Sequence, residues 1–182
     1  MQTNLLIEGF FTDLSDVFAL RQLDTPDAQG NAVLERYNGS GARVMGLNIE
    51  AKAFFSARFD IQAGVTLQRS RYKKPEVWSD NPDVAPVKRM FRTPDAYGYF
   101  TANWQICKPL KAIVTGTFTG PMTVQHMEGS GTDIDLAVRT ESFFEASAKL
   151  VYCFNIFRQV DIDVTAGVNN IFCLLYTSPS PR

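Results

Sequence analysis

Long stretches of strict alternation between apolar and polar residues constrain the fold of this chain more than any other feature. In RFDIQAGVTLQ, one face of an extended strand carries Phe59, Ile61, Ala63, Val65 and Leu67, and the other carries Asp60, Gln62, Gly64, Thr66 and Gln68. The same period of two recurs in RVMGLNIEAKAF, YGYFTANWQI, ESFFEASAKLVYCF and VDIDVTAGV, and more weakly in NLLIEGFFT and KAIVTGTFTG. The sequence therefore predicts seven β-strands with one apolar and one polar face each.

The length of these segments favours strands that cross a lipid bilayer. Strands of soluble proteins are mostly about 5 to 6 residues long. A strand of about 10 residues, tilted by roughly 40°, rises about 25 Å, which is the height of the apolar band of an outer-membrane barrel. The polar face agrees, because it carries charged side chains such as Glu50, Lys52, Asp60 and Glu145. A water-filled lumen accepts such groups, whereas a dry protein core does not.

The connections between the segments alternate between long and short. Long links rich in turn-forming residues cover residues 14–42, 73–96 and 120–140, and short turns lie at 55–58, at CKPL and at NIFR. Outer-membrane barrels have this arrangement, with long loops outside the cell and short turns on the periplasmic side. We therefore expect an all-β fold, an antiparallel transmembrane β-barrel fragment. About seven long strands should form an open, curved sheet with all long loops at one end.

Composition excludes several other classes of protein. The 182 residues have a net charge of −1 and a pI near 5.8, so no basic surface indicates a nucleic-acid partner. No apolar run approaches the roughly 18 residues of a membrane helix. Cys107, Cys153 and Cys173 lack the spacing of metal ligands, and their odd number argues against a disulfide framework. With one histidine and no nucleophile or phosphate-binding motif, the chain is not expected to be an enzyme or to need a cofactor.

Several stretches together resemble the C-terminal barrel of TonB-dependent outer-membrane receptors of the kind found in Bacteroidetes. They are IEGFFTDLSDVF, RVMGLNIEAKAFFSARFDIQAGVTLQRSRYKKPE, TPDAYGYFTANW, FTGPMTVQHM and TAGVNNIF. The resemblance implies a 22-stranded barrel closed by a plug domain. It places residues 1–172 at about strands 15 to 21, without plug domain or closing strand. CLLYTSPSPR, residues 173–182, does not continue the pattern and is interpreted as a non-native tail.

The resemblance also implies a function. Such a receptor lies in the outer membrane of a Gram-negative cell, in contact with outer-membrane lipid. It imports a small scarce nutrient with energy transmitted by the TonB system. A siderophore-iron complex, haem or cobalamin is the expected ligand, and a glycan is a lesser option. Two alternatives stay open: a passive porin or structural outer-membrane barrel, and a soluble β protein whose apolar face forms a core.

Candidate ligand contacts lie in the long loops, because recognition residues are disproportionately found in loops. The aromatic and cationic side chains there suit an anionic or aromatic ligand. Such residues are equally expected in a solvent-exposed loop or at a barrel rim that faces lipopolysaccharide. The candidates are Trp78, Lys88, Arg89, Phe91, Arg92 and His126. Asp161 and Asp163 could be read as paired catalytic acids, but the polarity of a lumen explains them without catalysis.

Overall fold

A computed structural model describes residues 1–22, 27–30, 33–79, 81–126, 134–156 and 160–172. The segment interpreted as a non-native tail, residues 173–182, lies outside the described residues. Cys173 lies there too, whereas Cys107 and Cys153 are exposed and free. No helix in the described part of the chain is long and apolar enough to cross a membrane.

In the described part of the chain, seven long strands form one open antiparallel sheet, which confirms the predicted fold class. They are β1 (Gln2–Leu14), β4 (Ala42–Ser56), β5 (Phe59–Glu76), β7 (Ala96–Cys107), β8 (Leu110–Thr119), β11 (Phe143–Ile156) and β12 (Val160–Val168). Each pairs with the next long strand along the chain, in the order β1-β4-β5-β7-β8-β11-β12. Such a meander follows from short turns and from loops that return the chain beside its own starting point.

Among the described residues of the long links, five short strands are present where the sequence predicted only loops. They are β2 (Phe18–Gln22), β3 (Leu34–Asn38), β6 (Val87–Arg89), β9 (Thr123–His126) and β10 (Leu136–Arg139). Two pairs of them form separate hairpins, and β6 extends the main sheet by pairing with β5. The expected loop start at Lys73 was wrong, since β5 continues to Glu76. Backbone pairing of this extension with residues 41 and 42 and with β6 keeps it extended.

The register of the sheet keeps the predicted apolar and polar sets apart across all seven long strands. Cross-strand partners share a face of a sheet. One row joins Ile7, Ile49, Val65 and Gly98, and the neighbouring row joins Glu8, Asn48, Thr66 and Tyr97. Further along, Val114 pairs with Ala148, and Ala148 with Val168. We call these two surfaces the apolar face and the polar face.

The apolar face is not covered by any other described part of the chain. Leu5 is 61% exposed and Val164 is 55% exposed, and the buried hydrophobic residues among those described are only Ala42, Trp78 and Ala146. A soluble β-sandwich buries its apolar side chains between two sheets about 10 Å apart. This sheet has no such second layer among the described residues, so its apolar face is suited to lipid.

Candidate functional site

The described parts of the three long loops lie at one end of the sheet, where polar contacts connect them to one another or to β5. The Ser79 hydroxyl donates to the Asp135 carboxylate at 2.6 Å, and the Arg92 amide donates to the Thr123 carbonyl at 2.8 Å. Both bonds join the second long loop to the third. The Tyr37 hydroxyl donates to the carboxylate of Glu76 and so joins the first loop to the end of β5. The loop end is therefore a connected layer above the sheet.

A cavity of about 200 Å³ lies in this layer, and we call it the loop-layer cavity. All three long loops and the extended end of β5 contribute to its lining. The lining includes Phe18, Tyr72, Glu76, Trp78, Phe91 and Gln125. The rings of Trp78 and Phe91 meet edge to face, with centroids 5.4 Å apart, which is a favoured arrangement of aromatic pairs. Aromatic surface and a few polar groups are typical of small-ligand sites.

The polar groups of the loop-layer cavity are neutral or negative. Burial raises the pKa of the Tyr72 hydroxyl, and the negative charge of Glu76 raises it further. Tyr72 is therefore a neutral phenol at physiological pH. The buried Trp78 Nε1 has no hydrogen-bond partner among the described residues, which leaves a donor that a ligand oxygen could satisfy. None of the described lining residues is a Lys or Arg.

The residues proposed from sequence as ligand contacts do not form one group. Trp78 and Phe91 line the loop-layer cavity together. Lys88 lines a different cavity, on the side of the apolar face. Arg89 forms an ion pair with Asp95 at 2.5 Å, and Arg92 is exposed, with a positive φ of 55°. His126 is half-buried at the end of β9, beside the lining residue Gln125.

Sequence reasoning missed Tyr72 and Glu76 as lining residues, although a signal was present. The polar face of β5 carries the even-numbered residues, and this parity continues past Gln68 to Tyr72 and Glu76. The turn-forming residues KKP at 73–75 favoured a loop, so the continuation of the strand was not predicted. The contributions of Phe18 and Gln125 depend on how the loops fold over the sheet, for which the local sequence contains no signal.

Hydrogen-bonded side chains cover the polar face below the loops. Tyr99 donates to Glu50 and accepts from Gln62, both at 3.2 Å. Asn155 donates to Asp161 at 2.7 Å. The Asp161 carboxylate is thus part of a polar wall, which favours the interpretation without catalysis. In the described part of the chain, no group of three or more His, Cys, Asp or Glu side chains could hold a metal ion.

Solved structures share this architecture at low sequence identity. The ferric-catecholate import receptor Fiu from Escherichia coli K12 matches 92% of this chain with a TM-score of 0.58 and 20% identity. The chain has the fold of part of a TonB-dependent receptor barrel. The copper transporter OprC matches 93% with a TM-score of 0.61 and 14% identity. The siderophore receptor PirA from Acinetobacter baumannii matches 93% with a TM-score of 0.58 and 16% identity.

This receptor-barrel fold confirms the predicted outer-membrane β-barrel architecture. The chain spans 21% to 25% of the length of these three receptors. No family model matches the chain, and no curated protein matches it. The long loops of outer-membrane barrels lie outside the cell, and the loop-layer cavity lies at the long-loop end of this sheet.

Proposed function

We propose that this chain is part of a TonB-dependent active transporter in the outer membrane of a Gram-negative, Bacteroidetes-like bacterium. The observation that carries the proposal is the loop-layer cavity at the outer end of a sheet with the receptor-barrel fold. Three loops converge on it, as a recognition site for an external nutrient requires; the second and third are hydrogen-bonded to each other, and the first is hydrogen-bonded to the end of β5. The wall below it is polar, so a ligand leaving the cavity would enter water rather than lipid.

We favour a siderophore-iron complex as the ligand, with only an uncharged aromatic part of it in the loop-layer cavity, because the lining contains Glu76 and neither Lys nor Arg. Trp78, Phe91, Tyr72 and Phe18 present aromatic surface, on which aromatic chelating groups can stack. The Trp78 Nε1 supplies a donor to a chelate oxygen. Fiu and PirA are described as receptors for a ferric catecholate and a siderophore, which supports the same class. Haem and cobalamin are secondary candidates.

The transport proposal assigns no covalent chemistry to the chain. Nutrient would be released by a plug domain that the TonB system pulls, so energy coupling lies outside the residues described. The ligand would bind first at the loops and then pass along the polar face. Glu50, Gln62, Asn103 and Asp60 are hydrogen-bonded side chains on that path.

Uptake of an iron-55-labelled ferric catecholate by cells that produce the complete protein tests the proposal. The same cells without TonB, and cells that carry the empty vector, are the controls. The transporter predicts saturable uptake that requires TonB. The alternative of a passive porin predicts uptake that rises linearly with chelate concentration and persists without TonB, and this result would overturn the proposal.

A further inference from the structure

A second cavity lies on the apolar face of the sheet, near its long-loop end, and we call it the rim cavity. It has a volume of about 220 Å³ and is formed by β4, β5 and β6 near their loop ends. Its lining residues are Arg43, Met45, Arg69, Arg71, Tyr72, Lys73 and Lys88. Five of these seven residues are cations and none is an acid. The transport proposal makes no use of the five cations.

The rim cavity belongs to the lipid-facing side of the sheet. Along β5 the odd-numbered residues are apolar from Phe59 to Leu67, and the same parity continues as Arg69, Arg71 and Lys73. Arg71 pairs with Arg43, and the neighbouring rows pair Arg69 with Met45 and Leu67 with Leu47. The wall thus changes from apolar to cationic within two residues, which is about 7 Å. Such a change marks the level at which hydrocarbon gives way to lipid headgroups.

The charges of the rim cavity are only partly balanced within the described residues. Arg43 contacts the Asp13 carboxylate at 2.9 Å, and Lys73 contacts the same carboxylate. Arg69, Arg71 and Lys88 have no ion-pair partner in the described part of the chain, and Arg69 and Lys88 are exposed. Cations clustered this closely repel one another, so an anion between them would be stabilised.

We propose that the rim cavity binds the phosphate groups of a phosphorylated glycolipid of the outer leaflet. Guanidinium groups bind phosphate through paired, charge-assisted hydrogen bonds, and Arg69 and Arg71 supply two of them. The acyl chains would lie along the apolar face below, over Leu47 and Leu67. This continuity with the apolar face favours a lipid over a free anion. The inference depends only on the barrel fold, so failure of the transport proposal would not affect it.

Glycolipid retained by the protein after extraction from native outer membranes in mild detergent provides the test. Mass spectrometry would give the moles of phosphorylated glycolipid bound per mole of protein. The double variant R69A/R71A should retain at least about a hundredfold less, since the loss of each charge-assisted hydrogen bond weakens binding about tenfold or more. Removal of two cations from the polar face, in K111A/K149A, is the matched control and should leave the bound glycolipid unchanged. Equal retention by R69A/R71A and wild type would overturn the proposal.

Two further measurements separate lipid binding from other causes. Asp13→Asn removes the carboxylate that competes for Arg43 and Lys73, so it should increase retention, and a decrease would count against the site. Delipidated wild-type protein would then be offered the glycolipid, its dephosphorylated form and inorganic phosphate. Binding of the phosphorylated glycolipid alone supports the proposal. Equal binding of the dephosphorylated form, or binding of inorganic phosphate only, would exclude it.

Discussion

The ring of Tyr99 occupies the space that a side chain at Gly64 would fill. The two residues are cross-strand partners on the polar face, and a Cβ atom at Gly64 would lie 2.6 Å from Cε1 of Tyr99. The ring can therefore lie flat on β5, where its hydroxyl donates to Glu50 and accepts from Gln62. Covering a strand glycine with an aromatic ring also helps to fix the register of a sheet.

Gly64→Ala should destabilise the sheet because the new methyl group displaces the Tyr99 ring from its hydrogen bonds. The expected loss is about 1 to 3 kcal/mol, the usual cost of an overpacked contact. Gly9→Ala is the matched control, since a Cβ atom there meets nothing within 4 Å, and its effect should stay within about 0.5 kcal/mol. Urea unfolding of the protein in lipid vesicles measures both values. In a Tyr99→Ala background the cost of Gly64→Ala should fall, and equal costs in both backgrounds would contradict the assignment.

Val114→Arg and Thr115→Arg should have very different effects, although the two residues are adjacent in β8. Val114 lies on the apolar face between Ala102 and Ala148, whereas Thr115 lies on the polar face between Thr101 and Ser147. An arginine facing lipid near the bilayer midplane costs about 2 to 4 kcal/mol, and one facing the lumen costs far less. The amount of folded protein in the outer membrane and its free energy of unfolding both report the difference. Equal loss in the two variants would show that the faces are assigned incorrectly.

Trp78→Phe should separate ligand binding from stability. The substitution removes a buried N–H group without a partner among the described residues, and such a group costs about 1 to 3 kcal/mol. Removing this cost should offset the packing lost with the smaller ring, so the free energy of unfolding should stay near that of the wild type. Ferric-catecholate binding should weaken, because the N–H donor is lost. Trp78→Ala should lower both, because it also removes the ring that packs on Phe91. Trp104→Phe, at the opposite end of the sheet, is the control and should leave binding unchanged. Undiminished binding by both Trp78 variants would argue against the loop-layer cavity.

The sequence was sufficient to predict the seven long strands and their two faces, because a period of two records which face of a strand is apolar. The strict alternation from Val160 to Val168 coincides with the bounds of β12. The loops were predicted less well. Trp78 and Phe91 were recognised as candidates from residue type and loop position, but their contact with one another depends on contacts between loops. Arg69 and Arg71 continue the apolar parity of β5, yet only the register of the sheet shows that Arg71 lies beside Arg43 and Arg69 beside Met45.

The Asp13 carboxyl should titrate below the usual range of an aspartate. Hydrogen bonds from Lys73 and then from Arg43 lower its pKa from the ordinary value of 3.8. Because the folded value is lowered, the contribution of Asp13 to stability is fully present above pH 3.8 and is lost as the pH falls through the folded pKa. Carbon-13 chemical shifts of a labelled Asp13 carboxyl would give the midpoint. Lys73→Met should move the midpoint up towards 3.8, whereas Lys111→Met, on the polar face, should leave it in place. A midpoint at or above 3.8 in the wild type would show that Lys73 and Arg43 do not hold this carboxylate.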